Sequence, residues 1–431
     1  MGLNGILILL LATILLAGCE ANESGSRAES TDDHANGAAN VDPSADSTSV
    51  RATTAGTFAA DLAFLERYAP VQVLKGANGG RVALSAEYQG RVMTSAANPD
   101  GRSFGWINRD FIESGVTGTQ FDNYGGEDRL WLGPEAGQYG LYFPPESAFD
   151  FSNWQVPDAL NEGAWTIQEQ SDTSVTFTRA MRPVNYSGTT FDLHVERTVR
   201  MLSKAAVVEH MRLSIPEDVS WVGFETVNRV TNAGDSPWEK DGGLPSIWML
   251  GMYEPFGTSH VVIPFEDDGD SDVVNDAYFG AIPAERLSVR DGYVVFKCDG
   301  AFRSKIGLRP EHATSVLGSY NQEEHLLTIV QYNKPESSDE YVNSMWEIQD
   351  EPFVGDVVNS YNDGPPEPGV PPLGGFYEIE SSSPALQLAP GESYTHIHRT
   401  LHIIGEDTPT LEPLAQDALG ISLADLADES P

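Results

Sequence analysis

The run Arg81-Val82-Ala83-Leu84-Ser85-Ala86, the tetrad Glu87-Tyr88-Gln89-Gly90 and the run Arg91-Val92-Met93-Thr94-Ser95 follow one another without a break. Strands send successive side chains to opposite faces, so two short β-prone runs joined by a polar, glycine-ended tetrad predict a hairpin. The pattern continues outward in Trp165-Thr166-Ile167, in Ser174-Val175-Thr176-Phe177-Thr178 and from Phe191 to Val199. Many short strands separated by Gly, Pro, Asn and Asp turns predict an all-β protein built as one large antiparallel β-sandwich. Apolar residues at helical spacing follow a capping threonine from Thr57 to Arg67, so a short helix opens the domain. A helical signal returns only at the end. There Thr410 to Leu419, closed by Gly420, and Ser422 to Asp428 predict two short helices, packed on the sandwich edge or lying free.

The amino terminus reads differently. An uncharged Met1 to Gly5 precedes the apolar run Ile6 to Leu16, too short for a stable bilayer span and suited to the core of a secretory signal. Leu16-Ala17-Gly18-Cys19 resembles the lipobox of bacterial lipoproteins, which implies cleavage before Cys19 and lipidation of it, although the leader lacks the usual Lys or Arg. Residues from Glu20 to about Gly56 are small and polar and cannot bury enough surface to offset chain entropy. The expected organisation is a signal peptide over 1–18, a lipidated cysteine and disordered tether over 19–56, a sandwich domain over 57–405 and a helical tail over 406–431. The expected location is the bacterial cell envelope, with the membrane as a partner through the lipid. With Cys19 acylated, Cys298 has no disulfide mate, and its place in Tyr293-Val294-Val295-Phe296-Lys297-Cys298 reads as a buried, inert thiol on a strand.

The 25 Lys and Arg stand against 64 Asp and Glu, a formal net charge of -39, and only six of the cations are lysines. Nucleic-acid binding needs a basic footprint and is excluded by this balance. Lysine-poor acidic surfaces suit proteins that stay soluble in high salt. The run Glu266-Asp267-Asp268-Gly269-Asp270-Ser271-Asp272 departs from the spacing of an EF-hand loop and reads as a solvated acidic loop. No cofactor is expected, and no metal site is assigned.

Two stretches concentrate chemistry. In Phe121-Asp122-Asn123-Tyr124-Gly125-Gly126-Glu127-Asp128-Arg129-Leu130-Trp131-Leu132-Gly133-Pro134-Glu135, a glycine pair permits a tight turn and a close approach to a ligand, and two acids, an arginine and a tryptophan follow it. A sheet-edge hairpin in which Asp128 and Arg129 pair with each other fits this stretch equally well. In Phe376-Tyr377-Glu378-Ile379-Glu380, strand alternation places Glu378 and Glu380 on one face, where two carboxylates repel unless water, a cation or a ligand intervenes. Solvated edge glutamates are the plainer alternative.

Gly125-Gly126-Glu127-Asp128-Arg129, the Glu378/Glu380 strand and Leu388-Ala389-Pro390-Gly391-Glu392-Ser393-Tyr394 resemble, in order and spacing, motifs of the aldose 1-epimerase (galactose mutarotase) superfamily. The segment from about Gly105 to His402 also resembles an uncharacterised family of bacterial lipoproteins. The first resemblance implies a mutarotase-type supersandwich whose general base is Glu378 or Glu380, with spacing leaving the choice open. It also implies a histidine general acid, and Trp248 stands near the place where that histidine is expected. Losing such an acid costs roughly 10²- to 10⁴-fold in rate. His210, His396, His398 and His402 fall on expected strands and are candidates to replace it, with hydrogen-bonded structural histidines as the alternative.

The expected site is a carbohydrate pocket with Arg129, Glu378 and Glu380 as the catalytic groups. Asn123, Asp128, Trp131, Trp248, Arg303, Lys305, Asn359, Asn362 and Asp363 are the expected sugar-binding residues. Arg303 or Lys305 opposite a glutamate would make an acidic-sugar clamp or a structural salt bridge. Arg129 is expected within about 12 Å of a glutamate and to lower its pKa. Two functional classes stay open: a sugar-epimerase-like enzyme, and a non-catalytic surface module that binds glycans or a partner protein.

Overall fold

The computed structural model describes residues 56–266, 272–336, 340–366 and 369–427. The signal peptide, Cys19 and nearly all of the tether lie outside the described residues, as do residues 267–271 of the acidic run.

The described strands form three antiparallel sheets. The first is the hairpin of Arg81–Ser85 and Arg91–Ala96 extended by Gln72–Lys75. The second has ten strands. Its centre is the pairing of Ser393–Ile404 with Ser220–Asn232, flanked by Leu326–Tyr332 on one side and Leu193–Met201 on the other. The third has five strands in the order Ser304–Leu308, Val358–Asn362, Tyr377–Ser382, Ser246–Tyr253, Arg129–Gly133. Alternation decides which faces are buried. In Leu193–Met201, Leu193, Val195, Arg197 and Val199 are buried, while His194, Glu196 and Thr198 are only partly covered.

One face of the five-stranded sheet packs on the ten-stranded sheet through Ile306, Val358, Tyr377 and Ile379 against Val261, Phe296, Leu317 and Val330. The far face of the ten-stranded sheet is covered by helices. Leu411, Leu414, Ala415 and Leu419 of Thr408–Leu419, with Val207 and Met211 of Lys204–Met211, bury against Val262, Leu327, Ile329, Leu401 and Ile403. The carboxy-terminal helices are therefore packed on a sheet face. Lys204–Met211 is a helix that alternation did not predict: Ser203 caps it by accepting from Ala206 N, and Val207 and Met211 bury at a spacing of four. His210 therefore lies in a helix rather than in a strand.

At the opening helix, Phe58–Leu65, the Thr57 hydroxyl accepts from the Ala60 amide as expected. Cys298 ends the strand Tyr293–Cys298 and is buried, with its thiol pushed up by burial.

Candidate functional site

The central strand of the five-stranded sheet divides its side chains cleanly. The Tyr377 hydroxyl shares a hydrogen bond with Ser319 (2.8 Å), and Ser381 Oγ bonds His396 Nε2 (2.8 Å) and His398 Nδ1 (2.9 Å), all partners on the ten-stranded sheet. Glu378 and Glu380 alternate with these residues, so both point to the face turned away from the sandwich interior. Register brings Met252 and Tyr361 beside Glu378, and Leu250 and Asn359 beside Glu380. Arg129 sits one strand further on, opposite Leu250.

That face is not open surface. Loops rise around it and border a half-open cavity of about 560 Å³ whose lining includes Phe121, Asn123, Arg129, Trp131, Glu135, Trp154, Trp248, Tyr278, Arg303, Lys305, Trp346, Tyr361, Phe376 and Glu378. The volume falls within the usual range of small-molecule sites. Arg129 Nη2 donates to Glu378 Oε1 at 2.7 Å, and both side chains are buried. The same guanidinium lies 4.3 Å from the Trp131 ring centre and 5.5 Å from that of Phe121. Lys305 Nζ reaches both Glu380 oxygens at 3.1 and 2.9 Å and sits 4.9 Å from the Trp248 ring centre. Trp248 Nε1 donates to Glu380 Oε2 at 2.8 Å.

The two glutamates thus differ in what they offer. Glu380 is fully buried, holds Lys305 and Trp248 and is absent from the cavity lining. Glu378 lines the cavity. Burial raises its carboxyl to about 7; Arg129 opposes the rise and Glu380 reinforces it. The expected lowering by Arg129 is present but does not prevail, because removing a carboxylate from water outweighs one ion pair. Burial likewise pulls Arg129 down, against Glu378 and Glu380. Burial lowers Lys305 too, but Glu380, Glu135 and Glu378 together hold it above its ordinary value.

Of the expected sugar-binding residues, Asn123, Trp131, Trp248, Arg303 and Lys305 line the cavity with Arg129 and Glu378. Four do not. Asp128, one residue before Arg129, points to the other face and pairs with the buried Arg197, whose Nη1 also donates to Asn228 Oδ1 at 2.7 Å and Nε to Gly90 O at 3.0 Å. The alternative pairing of Asp128 with Arg129 does not form. Asn359 Nδ2 donates to Ile306 O and Tyr278 Oη, and Asn362 Nδ2 donates to Phe302 O. Asp363 accepts from the amides of Gly374 and Gly375 and from the Tyr361 hydroxyl. Each holds a loop or strand edge that shapes the cavity wall.

The glycine pair also serves the fold. Gly125 has φ +82°, and a Cβ there would lie 2.3 Å from the Trp106 carbonyl oxygen, so its close approach is to backbone.

No histidine is among the described residues lining the cavity. His396 and His398 lie between the sheets, where burial lowers both to about 3 and keeps the rings neutral. His402 Nε2 bonds Glu127 Oε1 at 2.8 Å and its Nδ1 bonds Thr328 Oγ1, also between the sheets.

Sequence reasoning ended its stretch on Glu135 but gave that residue no role. It follows Gly133-Pro134 at the end of the Arg129–Gly133 strand, where alternation no longer assigns a face, and its Oε1 accepts from Trp154 Nε1 at 2.8 Å. Burial raises its carboxyl, opposed by Lys305 and by hydrogen bonds from Trp346 and Trp154. The one available signal was the tryptophan content of the following loops.

A two-layer antiparallel sandwich with a loop-bordered pocket on its five-stranded sheet is the class that this geometry defines. Solved structures similar to the chain include the Slr1438 protein from Synechocystis sp. PCC 6803, at 11% identity and TM-score 0.46 over 78% of this chain and 96% of that one. They also include a galactose mutarotase-like protein from Lactobacillus casei, at 11% identity and TM-score 0.43 over 78% and 100%. A galactose mutarotase related enzyme from Lactobacillus acidophilus is similar at 10% identity and TM-score 0.40 over 78% and 99%. No curated protein matches the sequence. The chain belongs to DUF6786, a family of unknown function, whose model matches residues 56–430.

Proposed function

We propose that the loop-bordered cavity binds a carbohydrate and that Glu378 exchanges a proton with it. One observation carries this: a carboxyl raised to about 7 and held by Arg129 stands in a cavity walled by Phe121, Trp131, Trp154, Trp248 and Trp346. Aromatic walls suit the apolar faces of a pyranose, and the polar groups at their edges suit its hydroxyls. A carboxyl that titrates near neutral pH is matched to taking and returning a proton there. In ring opening of a hemiacetal, Glu378 would take the proton of the anomeric hydroxyl as the ring C–O bond breaks. Glu135, whose carboxyl burial raises, is the lining group that would give a proton to the ring oxygen.

A second reading, a binding module without catalysis, is favoured by the lack of a histidine among the described lining residues. One experiment separates the two. Calorimetry against a panel of neutral, acidic and amino sugars identifies a binder, and NMR exchange spectroscopy on that sugar measures anomer interconversion. Exchange that Glu378→Gln slows by 10²-fold or more supports catalysis. Binding without exchange leaves the module, and no binding to any sugar rejects both.

The sequence also supports anchoring in the bacterial envelope through Cys19. Cys19→Ala should then release the protein from membranes into the soluble fraction.

A further inference from the structure

We infer that the cavity is the inner part of a cleft for a glycan chain of several sugar units, with Phe151 and Phe279 as outer stacking platforms. The inference rests on the carbohydrate reading of the cavity and specifies the size of its ligand. Both phenylalanines line the cavity yet remain 54% and 39% exposed, unusual for aromatic side chains in a domain that buries most of its own.

Each platform is fixed from beneath. Phe151 stacks on Trp154 at 5.9 Å and 15°, and Trp154 in turn lies 6.4 Å from Trp131 on the Arg129–Gly133 strand. Phe279 meets Tyr361 edge-on at 6.0 Å, and the Arg303 guanidinium lies 3.9 Å from its ring centre, just before the Ser304–Leu308 strand. Those two strands are the opposite edges of the five-stranded sheet. Four inter-strand steps of about 4.8 Å put the edges roughly 19 Å apart, so the two platforms are braced from opposite sides of the sheet.

Volume agrees. At ~30 Å³ per water molecule, a cavity of about 560 Å³ holds more water than a single hexose would displace. The occupant must also present flat apolar faces at intervals, with polar groups at their edges. A chain of pyranoses does this. A wholly apolar chain would leave Glu135, Glu378 and Arg129 facing a partner without polar groups, at a desolvation cost.

The test uses the full chain. A glycan array of mono- to hexasaccharides in gluco-, galacto- and xylo-configured series selects the best series. Its monosaccharide and tetrasaccharide are then titrated by calorimetry against the native chain, Phe151→Ala and Phe279→Ala. Both substitutions are at exposed positions, and unchanged melting temperatures verify folding. The tetrasaccharide should bind at least ten-fold tighter than the monosaccharide. Each substitution should weaken the tetrasaccharide about five-fold, a larger loss than it causes for the monosaccharide. Equal affinity for the two sugars, or substitutions without effect on the tetrasaccharide, overturns the extended cleft while keeping the sugar pocket. No binding to any member of the array overturns both.

Discussion

At Glu378 an arginine and burial act in opposite senses on one carboxyl, and the sum decides how the site responds to pH. A carboxyl that titrates near 7 in the folded chain and in the ordinary range when unfolded favours folding below the unfolded value and loses that contribution as pH rises through about 7. A base is useful only when ionised, so proton exchange with a bound sugar should rise about ten-fold per pH unit below 7 and level off above it. Glu378→Gln should remove that dependence. Arg129→Met would leave the Glu378 carboxylate buried without its cation, a loss of about 3–5 kcal/mol. Urea unfolding should show this loss at pH 8 and a smaller one at pH 5, where a protonated Glu378 has less need of a counter-charge. Equal losses at the two pH values would mean that Arg129 acts through packing on Trp131 and Phe121.

The helix Thr408–Leu419 closes the outer face of the ten-stranded sheet, and its four buried apolar residues are its only large contribution there. Leu411→Ala and Leu414→Ala should each cost about 2–5 kcal/mol, read by chemical denaturation, without changing sugar affinity, because the cavity lies on the other sheet. The hairpin, the opening helix and the two terminal helices were legible because alternation, a threonine cap and a closing glycine are local signals. Lys204–Met211 was not, since two buried residues make a weak helical stripe between strong strands. The site was half legible for the same reason. Period two put Glu378 and Glu380 on one face and, carried back one residue from Arg129, sends Asp128 to the other, but it could not tell which glutamate Lys305 would occupy. Glu135, Trp154 and Trp346 come from loops whose path has no period at all.

Across the whole molecule the net charge of -39 sets a self-repulsion that salt relieves. The screening length shrinks from about 10 Å at 0.1 M to about 3 Å at 1 M, so the melting temperature should rise over that range of sodium chloride. A flat or falling response would show that local ion pairs outweigh the global charge. Acid acts through the interior. His396 and His398 titrate near 3 in the folded chain and near 6.5 when unfolded, so their contribution is full above 6.5 and is lost progressively as pH falls toward 3. Each accounts for about 1.4 kcal/mol per pH unit over that window, and Gln at either position should flatten the acid limb of a denaturation series. The pairing of Asp128 with Arg197 on one face and Arg129 with Glu378 on the other behaves like a reading frame. A deletion of one residue between Gly126 and Trp131 would exchange the two charges and break the interior and the pocket together. Length variation that retunes ligand choice is then confined to the lining loops outside this stretch, Gly118 to Asn123 before it and those beyond Gly133, and a library built for new specificity belongs there.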